Sequence, residues 1–205
     1  MDPIPTVKIP DTLPVMVLPC TLFPHTLLPL YIFEPRYRAM LGEALATDRM
    51  FCIGTCQPGD TEGEVAPIST AALVRACVTH ENGTSHLLLL GVQRIHFVDW
   101  PQREPFRIAK IEPLECEIED TSLAMRLAEE AIELTRELAG PGLEMSGKVH
   151  EHLRSLDAPS AVADVIAHTF VTDLHRRQEL LETLDVTERL HHLTQVIQAQ
   201  IADQS

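Results

Sequence analysis

Apolar and polar positions follow two different periods along this chain, and the change falls near residue 120. Before it, short runs of β-forming residues recur: Pro14–Leu18, Leu27–Phe33, Met50–Thr55, Ala72–His80, His86–Val98 and Phe106–Glu117. Val74, Ala76 and Val78 alternate with Arg75, Cys77 and Thr79, the period of a strand with one buried face. Asn82-Gly83 separates two of the runs and supplies the positive φ of a tight hairpin. One helix is predicted in this half, over Arg36–Ala46. After Asp120 the period is helical. Leu123, Leu127, Ala131, Leu134 and Leu138 share one face, and Gly140-Pro141-Gly142 stops that helix. Val162, Val165, Ile166 and Phe170 mark a second face. Asp185-x-x-Glu188 reads as a capping box opening a last helix, with Val186, Leu190, Leu193, Ile197 and Ile201 along its apolar side. The predicted class is α+β: a small barrel or bent sheet over residues 1–120, then an α-helical bundle over 121–205.

The prolines sharpen this division. Thirteen of the fifteen precede residue 114. In Leu13–Leu41, LPVMVLPCTLFPHTLLPLYIFEPRYRAML, Pro14, Pro19, Pro24, Pro29 and Pro35 leave pieces too short for an ordinary helix. Each also lacks the N–H that an interior strand position donates. The segment therefore predicts short strands with prolines at their ends or edges, and an apolar strand pair with unpaired backbone can accept another chain. Glu34-Pro35-Arg36-Tyr37 closes it. There Glu34 and Pro35 suit the opening of a helix, while Arg36 and Tyr37 are residue types enriched at interfaces. Leu30, Ile32, Phe33, Glu34, Arg36 and Tyr37 are the candidate peptide contacts.

Composition narrows the partners. The formal net charge is −14, with 16 basic against 30 acidic residues, and each half of the chain carries −7. An evenly acidic body repels phosphate backbones, which disfavours nucleic acid. The longest apolar stretch, Leu13–Phe33, is cut by four prolines, so no membrane span is predicted. MDPIPTVKIPD has no basic stretch leading into an apolar one, and the expected location is the cytoplasm. Cys20, Cys52, Cys56, Cys77 and Cys116 are odd in number and lie in apolar sequence, as reduced and mostly buried thiols would. Trp100 reads as a lid at a strand end.

Three motifs could carry chemistry. Gly142–Val149 spells G-x-x-x-x-G-K but lacks the following Ser or Thr and a preceding strand, and reads as a loop between helices. His150-Glu151-His152 has i, i+2 spacing, which sends two metal ligands to different sides of a helix; His191-His192 and Cys52-x-x-x-Cys56 likewise lack a full ligand set. Cys20 beside His25 is the one proximate nucleophile–base pair. No cofactor is predicted.

Leu13–Leu41 resembles the start of the Lon protease N-terminal domain, also called the Lon substrate-binding domain, and its IFEPRY form resembles the small stand-alone members. GVQRIHF (Gly91–Phe97), PFRIAKIEPLE (Pro105–Glu115) and LLETLDVTERLHHL (Leu180–Leu193) resemble that family in the same order. The likeness runs from about Leu13 to Ile201. It implies a β-rich, PUA-like pseudo-barrel followed by a helical bundle, and recognition of protein substrates for an attached ATPase and protease. The chain ends where those parts would begin, and none of Lys8, Lys110 or Lys148 lies in a segment resembling the protease's Ser-Lys site. The expectation is a non-catalytic module that binds apolar or unfolded polypeptide through the barrel and the barrel–bundle cleft. Its implied partners are unfolded or partly folded polypeptides and an ATP-dependent protease, and a homodimer stays open. A nucleic-acid-associated regulator, by analogy with PUA-like barrels, and a small Cys- or metal-dependent hydrolase are the alternatives.

Overall fold

The computed structural model describes residues 8–56, 64–140 and 144–204, with side chains from residue 147 in the last stretch. It divides into two compact units, Met1–Leu114 and Glu115–Ser205. The first holds β1 (Thr12–Leu18), β2 (Leu27–Ile32), α1 (Pro35–Ala46), β3 (Met50–Thr55), β4 (Ile68–Thr79), β5 (Ser85–Gln102) and β6 (Arg107–Pro113). The second holds α2 (Thr121–Ala139), α3 (Glu144–Arg154), α4 (Pro159–Phe170), α5 (Leu174–Glu182) and α6 (Val186–Asp203). The class is α+β.

The strands form one mixed sheet in the order β2-β5-β4-β3-β1-β6, and β6 returns to pair with β5. Strands β5, β4, β3, β1 and β6 thus close into a pseudo-barrel, while β2 lies outside the closure. The length of β5 permits both pairings. Its first part, Ser85–Leu90, pairs with β2, and its later part, from Ile95 to Gln102, pairs with β6. Register shifts after Phe97 and Asp99 bend β5 where it turns toward β6. Strands β1 and β3 are parallel, so the chain between them crosses over, carrying β2 and α1.

Odd and even residues of β3 serve different parts of the core. Met50 and Cys52 join Leu13, Val15, Ile95 and Ile111 in one cluster. Phe51 and Ile53 join Met16, Leu22, Met40 and Leu89 in another, beneath α1. Both faces of the strand are buried, which is why its sequence shows an unbroken apolar run and no alternation. Strand β4 starts earlier than its apolar pattern predicts, at Ile68. Ser69 and Thr70 are buried there because their hydroxyls donate to the carbonyls of Ile53 and Leu22. Gly91 marks the closest backbone approach. A Cβ placed on it would lie 2.1 Å from the Phe23 carbonyl oxygen. The same stretch is tied by His25 N–H to Gly91 O and Gly91 N–H to Thr26 O, both 2.9 Å.

In the helical unit, three aspartates cap as their residue type directs. Asp120, Asp173 and Asp185 accept from the backbone N–H of Leu123, Arg176 and Glu188 at 2.9, 2.8 and 2.7 Å. The buried line of α2 is Ala124, Ala128, Ala131, Ile132 and Thr135. This corrects the leucine face expected from periodicity: Leu123, Leu127, Leu134 and Leu138 are half-buried and flank a stripe of small residues. Helix α4 is buried on every side from Ala161 to Ala167, which places it at the centre of the bundle. A second correction concerns the G-x-x-x-x-G-K segment. Gly147, Lys148 and Val149 lie within α3 and not in a loop; Pro141, Gly142 and Leu143 lie outside the described residues, as does the Pro58-Gly59 turn.

The bundle core holds a buried ion pair. Arg189 is fully buried, with Nε 3.7 Å from Oδ1 of the equally buried Asp164. Its terminal nitrogens donate to Cys116 Sγ at 3.6 and 3.5 Å, and one also to Thr183 O at 3.2 Å.

Two substitutions test this packing. Gly91→Ala should cost at least about 2 kcal/mol in urea unfolding, because backbone must move to admit the methyl group. Asp164→Ala should cost about 3–5 kcal/mol by leaving a buried guanidinium without its counter-charge.

Candidate functional site

Among the described residues β2 has β5 as its one strand neighbour, so its other edge is a row of backbone groups without a ladder. The Gly91–Thr26 bond sets the phase of the pairing. Ladder bonds alternate along an antiparallel pair, and the register runs from Leu27–Leu90 to Ile32–Ser85. The amides of Leu28, Leu30 and Ile32 therefore face β5, and those of Leu27, Pro29 and Tyr31 face away. Pro29 falls where its missing N–H removes no bond to β5. The outer edge offers the N–H groups of Leu27 and Tyr31 and the carbonyls of Leu27, Pro29 and Tyr31.

Side chains follow the same alternation. Leu28 and Leu30 pack against the core and Ile32 joins it. Leu27, Tyr31 and the following Phe33 stand out at 44%, 48% and 59% exposure. The rings of Tyr31 and Phe33 stack with centroids 6.0 Å apart, and Tyr31 lies 4.7 Å from the His86 ring across the strand pair. On β4, Val78 pairs with His86 and is 62% exposed, while Ala76 pairs with Leu88. The outer face of β2, β5 and β4 thus carries a continuous apolar and aromatic surface beside an open strand edge. Isolated exposed apolar residues are ordinary; a contiguous set at a sheet edge is what a second chain can cover.

The sequence-predicted contacts divide on this surface. Phe33 and Arg36 are exposed and Glu34 is half-exposed, with Arg36 Nε 3.0 Å from Glu34 Oε2. Leu30 is half-buried, and Ile32 and Tyr37 are core residues at 3% and 6% exposure. Ile32 and Tyr37 therefore leave the contact set, because their side chains are spent on the barrel. The Tyr37 hydroxyl donates to Val17 O at 3.2 Å and accepts from Val17 N–H at 3.3 Å, closing α1 onto β1. Tyr31 was missed. Leu27–Phe33 is apolar throughout, so alternation is invisible. The available signal was Tyr31 itself, whose hydroxyl suits solvent as those of no neighbours do, in phase with Pro29 and Phe33.

Of the five cysteines expected to be mostly buried, only Cys52 is; the other four are half-buried. Burial pushes the Cys52 thiol up, away from the reactive thiolate. Thr135 Oγ1 lies 3.4 Å from His150 Nε2, and His192 lies 3.9 Å from Glu179. Among the described residues no three His, Cys, Asp or Glu side chains gather at metal-binding range, and no helix is long and apolar enough to cross a membrane.

Comparison with known proteins decides the family. The model of the ATP-dependent protease La (LON) substrate-binding domain matches residues 12–199. This chain belongs to that family. The Lon protease of Desulfosudis oleivorans is 25% identical over 202 residues, covering 96% of this chain and 25% of the relative. Lon protease 2 of Herpetosiphon aurantiacus is 27% identical over 197 residues, covering 93% and 24%. The chain thus spans about a quarter of the length of these relatives. Its fold matches the N-terminal domain of the Mycobacterium avium complex Lon protease with a TM-score of 0.73 at 20% identity, covering 91% of this chain and 98% of that one. The Lon N-terminal domain protein of Xanthomonas campestris matches with a TM-score of 0.63 at 20% identity, covering 89% and 96%. The LON domain fold is therefore present over nearly all of this chain.

Tyr37 makes the site's scaffold sensitive to alkali. Burial raises its phenol above the ordinary 10.0, against the opposing pull of Arg36 and of the Val17 bond. The folded LON domain holds the neutral phenol, whereas the unfolded chain ionises it from about pH 10 upward. Its contribution is complete below that pH and is lost as pH rises through the raised folded value. Tyr37→Phe should cost about 1–2 kcal/mol at neutral pH through its two lost bonds. It should also lose less stability than the parent between about pH 9 and pH 11, measured by urea unfolding.

Proposed function

We propose that this chain is a non-catalytic polypeptide-binding module that takes apolar segments of unfolded or partly folded proteins as an added strand on β2. The observation that carries this is the unladdered β2 edge with Tyr31 and Phe33 exposed beside it, in a chain of the LON substrate-binding family. Backbone bonds to Leu27 and Tyr31 supply affinity without regard to sequence, and alternate side chains of the guest cover the aromatic surface. The proposed contacts are Leu27, Tyr31 and Phe33, with Glu34 and Arg36 at the rim. The curated relatives are Lon proteases, which supports a role as adaptor or regulator for an ATP-dependent protease. Five cysteines, none in a disulfide, fit a reducing cytoplasmic setting.

A fluorescently labelled, permanently unfolded protein without charged residues near its apolar runs tests the proposal. Binding should be near micromolar, about 8 kcal/mol at standard state, and insensitive to salt because apolar burial is not screened. Tyr31→Ser combined with Phe33→Ser should weaken it at least about tenfold with an unchanged melting temperature, since both rings are exposed. Tyr31→Pro, which removes an outward N–H, should weaken it also. Unchanged affinity in both variants overturns the proposal.

A further inference from the structure

We infer that a groove between α2, α3 and α4 docks a cationic amphipathic helix, a partner distinct from the guest strand of β2. The groove lies wholly within the helical unit, so the inference stands apart from the polypeptide-binding reading above.

The groove encloses about 320 Å³. Ala128 and Ile132 of α2, Leu153 of α3 and Val162 of α4 form its floor, and all four are buried. With a single methyl group at Ala128, α2 leaves the space above it unfilled. Met125, one turn earlier on α2, and Leu156, on the link from α3 to α4, form the walls. Leu156 is half-buried and Met125 is 59% exposed. A flexible thioether at the mouth of an apolar hollow adapts to side chains of different shape. The volume sits at the small end of ligand clefts, roughly 300–1,000 Å³, and suits apolar side chains entering from a partner. Helices and one link supply the whole lining, with no strand edge for a guest backbone to join. A helix is the element that brings apolar side chains to one side at i, i+3 and i+4 with charged ones flanking them.

Charge selects the kind of helix. Arg154 reaches from α3 to Glu129, at 3.0 Å, and to Glu133, both on α2. One guanidinium thus answers two carboxylates. Asp157 also lines the groove and makes no ion pair among the described residues. Three anions against one cation leave the rim negative. The neighbouring sequence deepens that field. Over residues 121–158 the chain has four basic side chains, Arg126, Arg136, Lys148 and Arg154, against seven acidic ones, histidines apart. Lysines or arginines beside an apolar anchor meet this field favourably, and an acidic or phosphate-bearing partner is repelled.

The test uses the full chain and three labelled helical peptides of about 18 residues, five turns. One carries a leucine face flanked by lysines, the second has glutamates for the lysines, and the third has serines for the leucines. The lysine–leucine peptide should bind with a roughly micromolar Kd at about 50 mM salt, at least about tenfold more tightly than either other peptide. It should weaken at least about threefold at about 500 mM salt. Met125→Ser should weaken it about threefold to tenfold, and Asp157→Asn about threefold. Glu43→Gln removes the same charge from α1 and should leave the affinity unchanged, as should Tyr31→Ser with Phe33→Ser. All these positions are exposed, so each variant should melt as the parent does. Equal binding of the lysine–leucine and glutamate–leucine peptides overturns the inference, as does failure of all three to bind. Unchanged affinity in both Met125→Ser and Asp157→Asn overturns it as well. Equal weakening by Asp157→Asn and Glu43→Gln would reduce the binding to the general field of an acidic protein, which also overturns it. Loss in the Tyr31→Ser, Phe33→Ser variant would assign the peptide to β2, overturning this inference and leaving strand addition standing.

Discussion

Hydrogen bonding along one edge of β5 is the constraint from which the barrel and its binding surface both follow. That edge must be filled, because unpaired strand backbone in a protein interior is costly. It is filled by two strands in succession, β2 over Ser85–Leu90 and β6 from Ile95 onward. The pairing with β6 closes the barrel and removes that pair of edges. The pairing with β2 instead moves an edge outward, to a strand that has β5 as its one partner among the described residues. An unladdered edge is a hazard for a folded protein, and Pro29 limits it by deleting one of three outward donors. What is left is two outward N–H groups and three outward carbonyls on β2.

Net charge sets the terms on which that surface can exist. Tyr31, Phe33, Val78 and Leu27 expose apolar area that would favour self-association. A formal charge of −14 opposes it by keeping copies apart.

The helical unit depends on a different device. Arg189 is buried and its donors are aimed at groups from three places: Asp164 on α4, the Thr183 carbonyl beside the start of α6, and Cys116 on the segment that enters the unit. Leucine and alanine packing would tolerate a sliding helix; a buried guanidinium tolerates far fewer arrangements. The Val186 N–H to Glu117 O bond at 2.9 Å ties the same segment to the head of α6.

Much of this was legible without coordinates. Proline placement marked the strand-rich half, Asn82-Gly83 the hairpin, and Asp185 the cap of the last helix, because each acts through its own backbone geometry. Periodicity misled where packing is two-sided or close. The buried line of α2 runs through alanines, since small residues let helices approach while leucines fill the flanks. Leu27–Phe33 hides its phase because both alternating sets are apolar, and only the fold shows that Ile32 is buried while Tyr31 is exposed. Local rules thus determined the elements and the class of the fold from sequence alone. Which apolar residues face outward, and that Arg36 lines one cleft with Arg103 and Arg107, were decided only by tertiary pairing. Those relations join residues far apart in the chain, and no local preference carries them.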